Sequence, residues 1–108
     1  MKDTKVASVQ FEHAPGDKQA NLEKVRRFTA ESAKQGVELV VFPEMCVTGY
    51  WHLRDWSREQ LTALAEPVPG GPTTEELLCL AKQHNLSLGA GLLEISDEGE
   101  LFNSYVVA

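Results

Sequence analysis

The chain has 108 residues, of which 43% are hydrophobic and 24% are charged, and its net charge is −6. A chain of this length forms one domain at most. The negative charge argues against binding to nucleic acid, because phosphate contacts need a basic surface. The longest apolar run is far shorter than a membrane span, and no apolar signal segment follows Met1. The sequence therefore predicts a cytosolic protein that binds neither nucleic acid nor membranes.

The cysteine and histidine residues do not predict a metal site. Cys46 and Cys79 are too far apart for a zinc-ligand spacing, and His13, His52 and His84 are equally scattered. In the cytosol, both cysteines should stay reduced.

The first half of the chain predicts a strand, a helix and a second strand. Residues 6–11 alternate between two faces, which is typical of a strand. Asp17 is suited to cap the helix that follows, and Gly36 is suited to end it. Residues 37–42 are apolar at five of six positions, as in a strand that helices cover on both faces of a parallel sheet.

The second half predicts two helices and a hairpin. Ser57 and Thr73 each precede a glutamine or glutamate by three residues, which is the spacing of a capping box at a helix start. Residues 86–95 and 101–107 predict strands joined by an acidic turn. The order is β-α-β-α-α-β-β, an α/β fold with helices packed on a mainly parallel sheet. The last strand is an apolar edge without charge or proline, which predicts that residues 1–108 are the N-terminal part of a longer domain.

Glu44 is the strongest candidate for a catalytic residue. It follows an apolar run and Pro43 at the carboxyl end of the second predicted strand, where α/β enzymes present functional side chains to a crevice. Pro43 keeps Phe42 extended and fixes its own φ just before the acid. The aromatic loop 49–51 predicts partial burial of Glu44. The alternative is a solvated acid in a surface loop.

Other residues allow both functional and structural interpretations. Cys46 could be a nucleophile, although free cysteines are most often small buried side chains. Tyr50 could line a substrate pocket or pack beneath its own loop. Cys79 is interpreted as a packing residue on a helix face. Asn103 is interpreted as a strand residue that ties down a neighbouring loop by hydrogen bonds.

Two glycines, Gly89 and Gly91, interrupt the third predicted strand. They do not form a phosphate-binding pattern, because no helix begins after them. Close packing of a neighbouring backbone against the strand explains them better.

Several segments, in this order, resemble the nitrilase superfamily of carbon–nitrogen hydrolases. Each match is weak alone, but the ordered combination is specific and covers nearly the whole chain. The resemblance implies that the chain is the N-terminal portion of an αββα sandwich. The matching segments are the opening strand 6–11, Asn21-Leu22 in the first helix, the run 40–44 with Gly49-Tyr50, Gly70-Gly71-Pro72 before a helix, and the leucine-aromatic-asparagine strand 101–104.

The resemblance also implies a reaction. Its catalytic triad is glutamate, lysine and cysteine, and only the glutamate, Glu44, lies in this chain. The cysteine thiolate attacks an amide, carbamoyl or nitrile carbon, Glu44 serves as general acid and base, and no cofactor takes part. Small linear amides or N-carbamoyl amines are favoured over aromatic nitriles as substrates, and a glutaminase domain is also compatible.

The assembly and the activity of the short chain follow from the same resemblance. Full-length members associate as homodimers or larger homo-oligomers. Without its lysine and cysteine, the 108-residue chain is expected to be inactive. The alternative is a non-catalytic, truncated relative that acts as a binding or assembly module through its exposed sheet edge.

Overall fold

The computed structural model describes residues 3–108, and it contains four strands, three α-helices and one short 3-10 helix. The predicted α/β class and element order are confirmed, and the 3-10 helix, which the sequence did not predict, lies in the loop after Glu44. The elements are β1 (Val6–Ser8), α1 (Lys18–Lys34), β2 (Leu39–Val41), the 3-10 helix (Trp51–Asp55), α2 (Arg58–Leu64), α3 (Pro72–His84), β3 (Ser87–Ile95) and β4 (Leu101–Val107).

One sheet, in the order β1-β2-β3-β4, organises the molecule. The first three strands are parallel, and β4 pairs with β3 in an antiparallel hairpin. This is the mainly parallel sheet with a terminal hairpin that the sequence predicts. Because β1, β2 and β3 run in the same direction, their carboxyl ends lie on the same side of the sheet. Glu44 lies on that side.

The first two strands are shorter than predicted. β1 ends at Ser8 rather than at residue 11, and only one further bond, from Val9 N to Val41 O at 2.9 Å, continues its pairing. The Phe11 ring then turns to the aromatic rings of Phe28 and Phe42, with centroids 6.3 and 6.2 Å away. Packing of the aromatic side chain therefore replaces strand pairing at this position.

The caps of α1 and α2 are confirmed, whereas the cap predicted for α3 is wrong. The Asp17 carboxylate accepts a hydrogen bond from Ala20 N, and Ser57 forms a capping box with its glutamine partner. α3 begins at Pro72, with Gly71 as its N-cap residue and without a side-chain cap. The hydroxyl of Thr73 instead donates to Glu66 at 2.6 Å, so it is not free to cap.

The main hydrophobic core lies between one face of the sheet and the helices α1 and α3. On β3 this face carries Leu88, Ala90 and Leu92, which are fully buried. Residues on the opposite face of β3 alternate with them. No helix within residues 3–108 is long and apolar enough to cross a membrane. The core residues are Leu22, Val25, Val37, Val40, Phe42, Cys46, Val47, Leu77, Leu80, Leu86, Leu88, Ala90 and Leu92.

Candidate active site

The Glu44 carboxylate emerges just beyond the carboxyl end of β2, where the sequence predicts it. Phe42, two residues before Glu44, is buried, and its N–H donates to Gly89 O on β3 at 2.8 Å. The Tyr105 hydroxyl donates to Phe42 O at 2.7 Å, so β4 also holds this strand end. The backbone that leads to the acid is therefore fixed by two neighbouring strands.

The turn after Glu44 crosses closely over β3 at Gly91. Val47 N donates to Gly91 O at 3.0 Å, and a Cβ at residue 91 would collide with Met45 N and the Glu44 Cα. Met45 has a φ of 54°. This left-handed backbone conformation is unfavourable for a residue that carries a side chain. The predicted close approach of a neighbouring backbone is confirmed at Gly91. At Gly89 the close neighbour is the side chain of Tyr105 rather than a backbone.

Helix α1 supports the same turn through Asn21, which is fully buried. Its amide donates to Val47 O at 2.8 Å and to Ala14 O at 2.9 Å, and its oxygen accepts from Ala14 N at 2.7 Å. One side chain thus joins the segment after β1 to the turn after β2. The sequence signal for this residue was its place in the family resemblance, but its partners could not be identified from local spacing.

Asn103 on β4 is the hydrogen-bonding partner of Glu44. Its Nδ2 donates to the Glu44 Oε1. The predicted role for Asn103, hydrogen bonding to a neighbouring loop, is therefore refined, because it bonds to the candidate catalytic side chain itself. The Glu44 side chain is exposed, so the aromatic loop does not provide the burial that the sequence led us to expect.

The aromatic loop after the turn lies at the opening of a cavity that Asn103 also lines. The rings of Tyr50 and Trp51 stack with centroids 5.7 Å apart, and 43% of Tyr50 and 72% of Trp51 are exposed. The cavity has a volume of about 360 Å³, and both aromatic residues line it. Tyr50 therefore forms part of a cavity wall. Trp51, which carried no functional prediction, lies beside it.

Comparison with known proteins identifies the family. The model of the carbon–nitrogen hydrolase family matches residues 5–108. The chain belongs to this family. It is 36% identical over 103 residues to a nitrilase from Pyrococcus abyssi, covering 95% of this chain and 38% of the relative. It is 31% identical to an aliphatic nitrilase from Rhodococcus rhodochrous, covering 95% of this chain and 30% of that protein.

The structural comparison agrees with the family assignment. The crystal structure of an N-terminal amidase superimposes with a TM-score of 0.79 over 97% of this chain and 25% of that chain, at 22% identity. At this identity the likeness shows the fold, and the fold is that of the family's N-terminal portion. The chain spans little more than a third of the length of the Pyrococcus relative.

Cys46 of this carbon–nitrogen hydrolase chain does not have the surroundings of an activated nucleophile. Cys46 is fully buried, and burial raises the pKa of its thiol to about 11, despite backbone hydrogen bonds from Gly91 and its own N–H that favour the thiolate. At neutral pH this thiol is almost entirely protonated and therefore a poor nucleophile. Cys79 is exposed on α3, so its predicted packing role is wrong.

A second glutamate, Glu66, is buried where α1, α3 and β3 meet. Its carboxylate accepts from Lys18 Nζ at 2.9 Å and from the N–H and hydroxyl of Thr73 at 2.7 and 2.6 Å. Its backbone pairs with Leu93 and Ile95 on β3. Burial alone would raise the pKa of Glu66, but the hydrogen bonds from Thr73 and the Lys18 ammonium together hold it below the ordinary value. No local pattern in the sequence predicts this cluster.

Two histidines lie beneath the aromatic loop. The His13 and His52 rings have centroids 6.0 Å apart, and the His52 ring also lies 5.9 Å from that of Trp56. A Cβ at Gly49 would collide with the His52 imidazole, so the glycine of the Gly-Tyr pair is needed for this packing. Burial, and then the proximity of His52 and Lys24, lower the pKa of His13. Within residues 3–108, no three His, Cys, Asp or Glu side chains are grouped so that they could hold a metal ion.

Proposed function

We propose that this chain is the N-terminal part of one carbon–nitrogen hydrolase domain that cleaves non-peptide C–N bonds of small amides, N-carbamoyl amines or nitriles. The observation that carries the proposal is the Glu44 carboxylate, presented at the end of β2 and bonded to Asn103 beside an apolar cavity. Relatives that are named nitrilases and amidases support the reaction class.

In the proposed reaction, Glu44 moves protons for a cysteine nucleophile. It accepts the thiol proton as sulfur attacks the amide carbon, and a lysine ammonium stabilises the charge that develops on oxygen. The C–N bond breaks when Glu44 returns the proton to the leaving ammonia or amine, which leaves a thioester. Glu44 then deprotonates a water molecule that attacks the thioester, and the acid and the free thiol are formed.

The other two triad members are proposed to lie in polypeptide that follows Ala108. Cys46 is unsuited to the nucleophile's role because it is buried and protonated. We therefore expect the 108-residue chain to be inactive alone. For the complete protein, we propose a cytosolic homodimer or larger homo-oligomer that uses no cofactor. The competing proposal is a truncated, non-catalytic module that binds other chains.

The first experiment is the intact mass of the protein from its native source. A mass well above 11.9 kDa, with a lysine and a cysteine at strand ends in the added sequence, is expected. A mass of 11.9 kDa would contradict catalysis by this triad within one chain and would favour the binding module.

The second experiment tests Glu44 in the complete protein. Glu44→Gln keeps the shape of the side chain but cannot accept the thiol proton, so ammonia release from small amides should fall by about 10²- to 10⁴-fold. The matched control is Glu98→Gln in the exposed turn between β3 and β4, which should keep full activity. Equal activities of the two variants would remove Glu44 from the mechanism.

A further inference from the structure

The cavity beside Glu44 has apolar walls. They are formed by Met45 from the turn, Leu53 from the 3-10 helix, Leu61 from α2 and Leu93 from β3. Met45, Leu53 and Leu93 are buried and belong to a second, smaller hydrophobic cluster. A volume of about 360 Å³ is within the range of small-molecule sites.

The cavity reaches the candidate catalytic acid at one side and solvent at the other. Asn103 lines the cavity and donates to the Glu44 carboxylate, so a molecule in the cavity can place an atom close to the acid. Tyr50 and Trp51 also line it and are exposed, so they mark its opening. This arrangement gives the cavity a reacting end and an outer end.

No charged group within residues 3–108 enters the interior of the cavity. The one charged side chain that lines it, Arg54, is 70% exposed, and its guanidinium lies 5.9 Å from the Trp51 ring centroid at the opening. Its Nε is 3.9 Å from Asp55 Oδ2. The positive charge of Arg54 is therefore solvated. The interior walls are formed by methionine and leucine side chains.

We propose that this cavity holds the aliphatic acyl chain of the substrate, with the carbonyl or nitrile carbon toward Asn103 and Glu44. The inference rests on the proposed function and narrows its substrate class to uncharged, straight-chain aliphatic amides or nitriles. A zwitterionic amide such as glutamine buries fewer methylenes against the methionine and leucine walls, and its charges lose hydration wherever they approach these walls, which cannot hydrogen bond to them. An aliphatic chain gains free energy from each methylene that it buries.

The test is a homologous series of primary amides from acetamide to hexanamide, with glutamine as the polar comparison, assayed on the complete protein. Each added methylene should raise kcat/KM about fourfold until the cavity is full, and glutamine should be the poorest substrate. A flat series, or preference for glutamine, would overturn the inference while leaving the proposed function intact.

A variant pair locates the effect in the cavity. Leu61→Phe adds volume to its wall and should lower the ratio of kcat/KM for pentanamide to that for acetamide by about tenfold or more. Leu78→Phe makes the same change at an exposed site on α3 and should leave the ratio unchanged. If both variants keep the parent's ratio of kcat/KM values, the acyl chain of the substrate does not lie against Leu61 and the inference is wrong.

Binding separates failure of the inference from failure of the proposed function. Trp51 lines the cavity, so its fluorescence should report binding even where no hydrolysis occurs. If no amide or nitrile is hydrolysed but pentanamide binds at least tenfold more tightly than acetamide, the proposed function fails and the aliphatic site stands. If the two amides bind equally, the aliphatic site is rejected whatever the catalytic result.

Discussion

Two glutamates of this chain lie in opposite surroundings. Glu66 is 4% exposed, and its carboxylate has three hydrogen bonds, from Lys18 and Thr73, at the junction of α1, α3 and β3. Glu44 is exposed, and within residues 3–108 its carboxylate has one hydrogen-bonding partner, the amide of Asn103. Glu66 joins elements that are already packed, whereas Glu44 has most of its hydrogen-bonding capacity free.

The difference separates the structural role of Glu66 from the catalytic role proposed for Glu44. A buried carboxylate whose hydrogen-bonding partners are in place is held as an anion. It is therefore poorly suited to take a proton from a reacting group. A carboxylate on a rigid turn with free acceptor positions can take a proton from a second group. The fold therefore fixes the backbone of Glu44, through Gly91, Tyr105 and Asn21, while leaving its side chain accessible.

The largest expected effect breaks this comparison at its buried member. Glu66→Ala leaves the Thr73 N–H without its acceptor and takes the carboxylate away from the Lys18 ammonium, which keeps only its bond to Leu64 O. The change should cost about 3 kcal/mol in the free energy of unfolding. Glu44→Ala, the matched control, should stay within about 0.5 kcal/mol of the parent. Urea denaturation measures both. Equal losses would show that the two acids do not differ in structural role.

A second change tests the backbone beneath Glu44. Gly91→Ala places a methyl group against Met45 N and the Glu44 Cα, and should lower the free energy of unfolding by about 1–3 kcal/mol. Gly89→Ala meets the ring and hydroxyl of Tyr105. A side chain can move aside more easily than a backbone, although this one would lose its hydrogen bond to Phe42 O, so the loss should be smaller than for Gly91→Ala. The same denaturation experiment compares them, and a greater loss for Gly89→Ala would contradict the crossing at Gly91.

The local patterns of the sequence predict most of the elements and the place of Glu44. Apolar periodicity locates the helices and strands, and the strand-proline-glutamate order puts the acid at the sheet edge. The same reasoning places the first cap correctly at Asp17 and the third wrongly at Thr73, because Thr73 is engaged by Glu66, seven residues earlier. Local spacing does not report a competing partner of this kind.

The contacts that complete the site are beyond such patterns for the same physical reason. Asn103 lies 59 residues from Glu44, and the Asn21 amide lies 26 residues from its acceptor Val47. Only the paired strands and packed helices bring these atoms together. The buried carboxylate of Glu66 has no periodic signal either, since an acid before a proline-rich segment normally predicts a solvated loop.

A third, smaller effect concerns Asn103, whose amide donates to Glu44. Asn103→Leu removes the hydrogen bond to the carboxylate at similar side-chain size, and should lower kcat about tenfold, because hydrogen bonds to charged groups contribute about 1.5 kcal/mol or more. The Phe102→Leu control changes the neighbouring residue, whose side chain points to the other face of β4. Steady-state kinetics of the complete protein separates a change in kcat from one in KM. A loss confined to KM would mean that Asn103 binds substrate without orienting Glu44.

The smallest effect is the pH dependence of stability beneath the aromatic loop. His13 faces His52, the Lys24 ammonium and the Glu12 carboxylate, and its pKa is lowered in the folded chain by burial and by the two neighbouring bases. Protonation of His13 therefore favours the unfolded state. The stability that neutral His13 contributes is complete above the ordinary histidine pKa of about 6.5 and is lost as the pH falls through the lower folded value.

Thermal unfolding between about pH 5 and 8 should show stability falling on acidification. His13→Gln should reduce that slope, and Lys24→Gln should reduce it by a smaller amount, since burial and His52 outweigh the lysine. An unchanged slope in His13→Gln would assign the acid sensitivity to other groups.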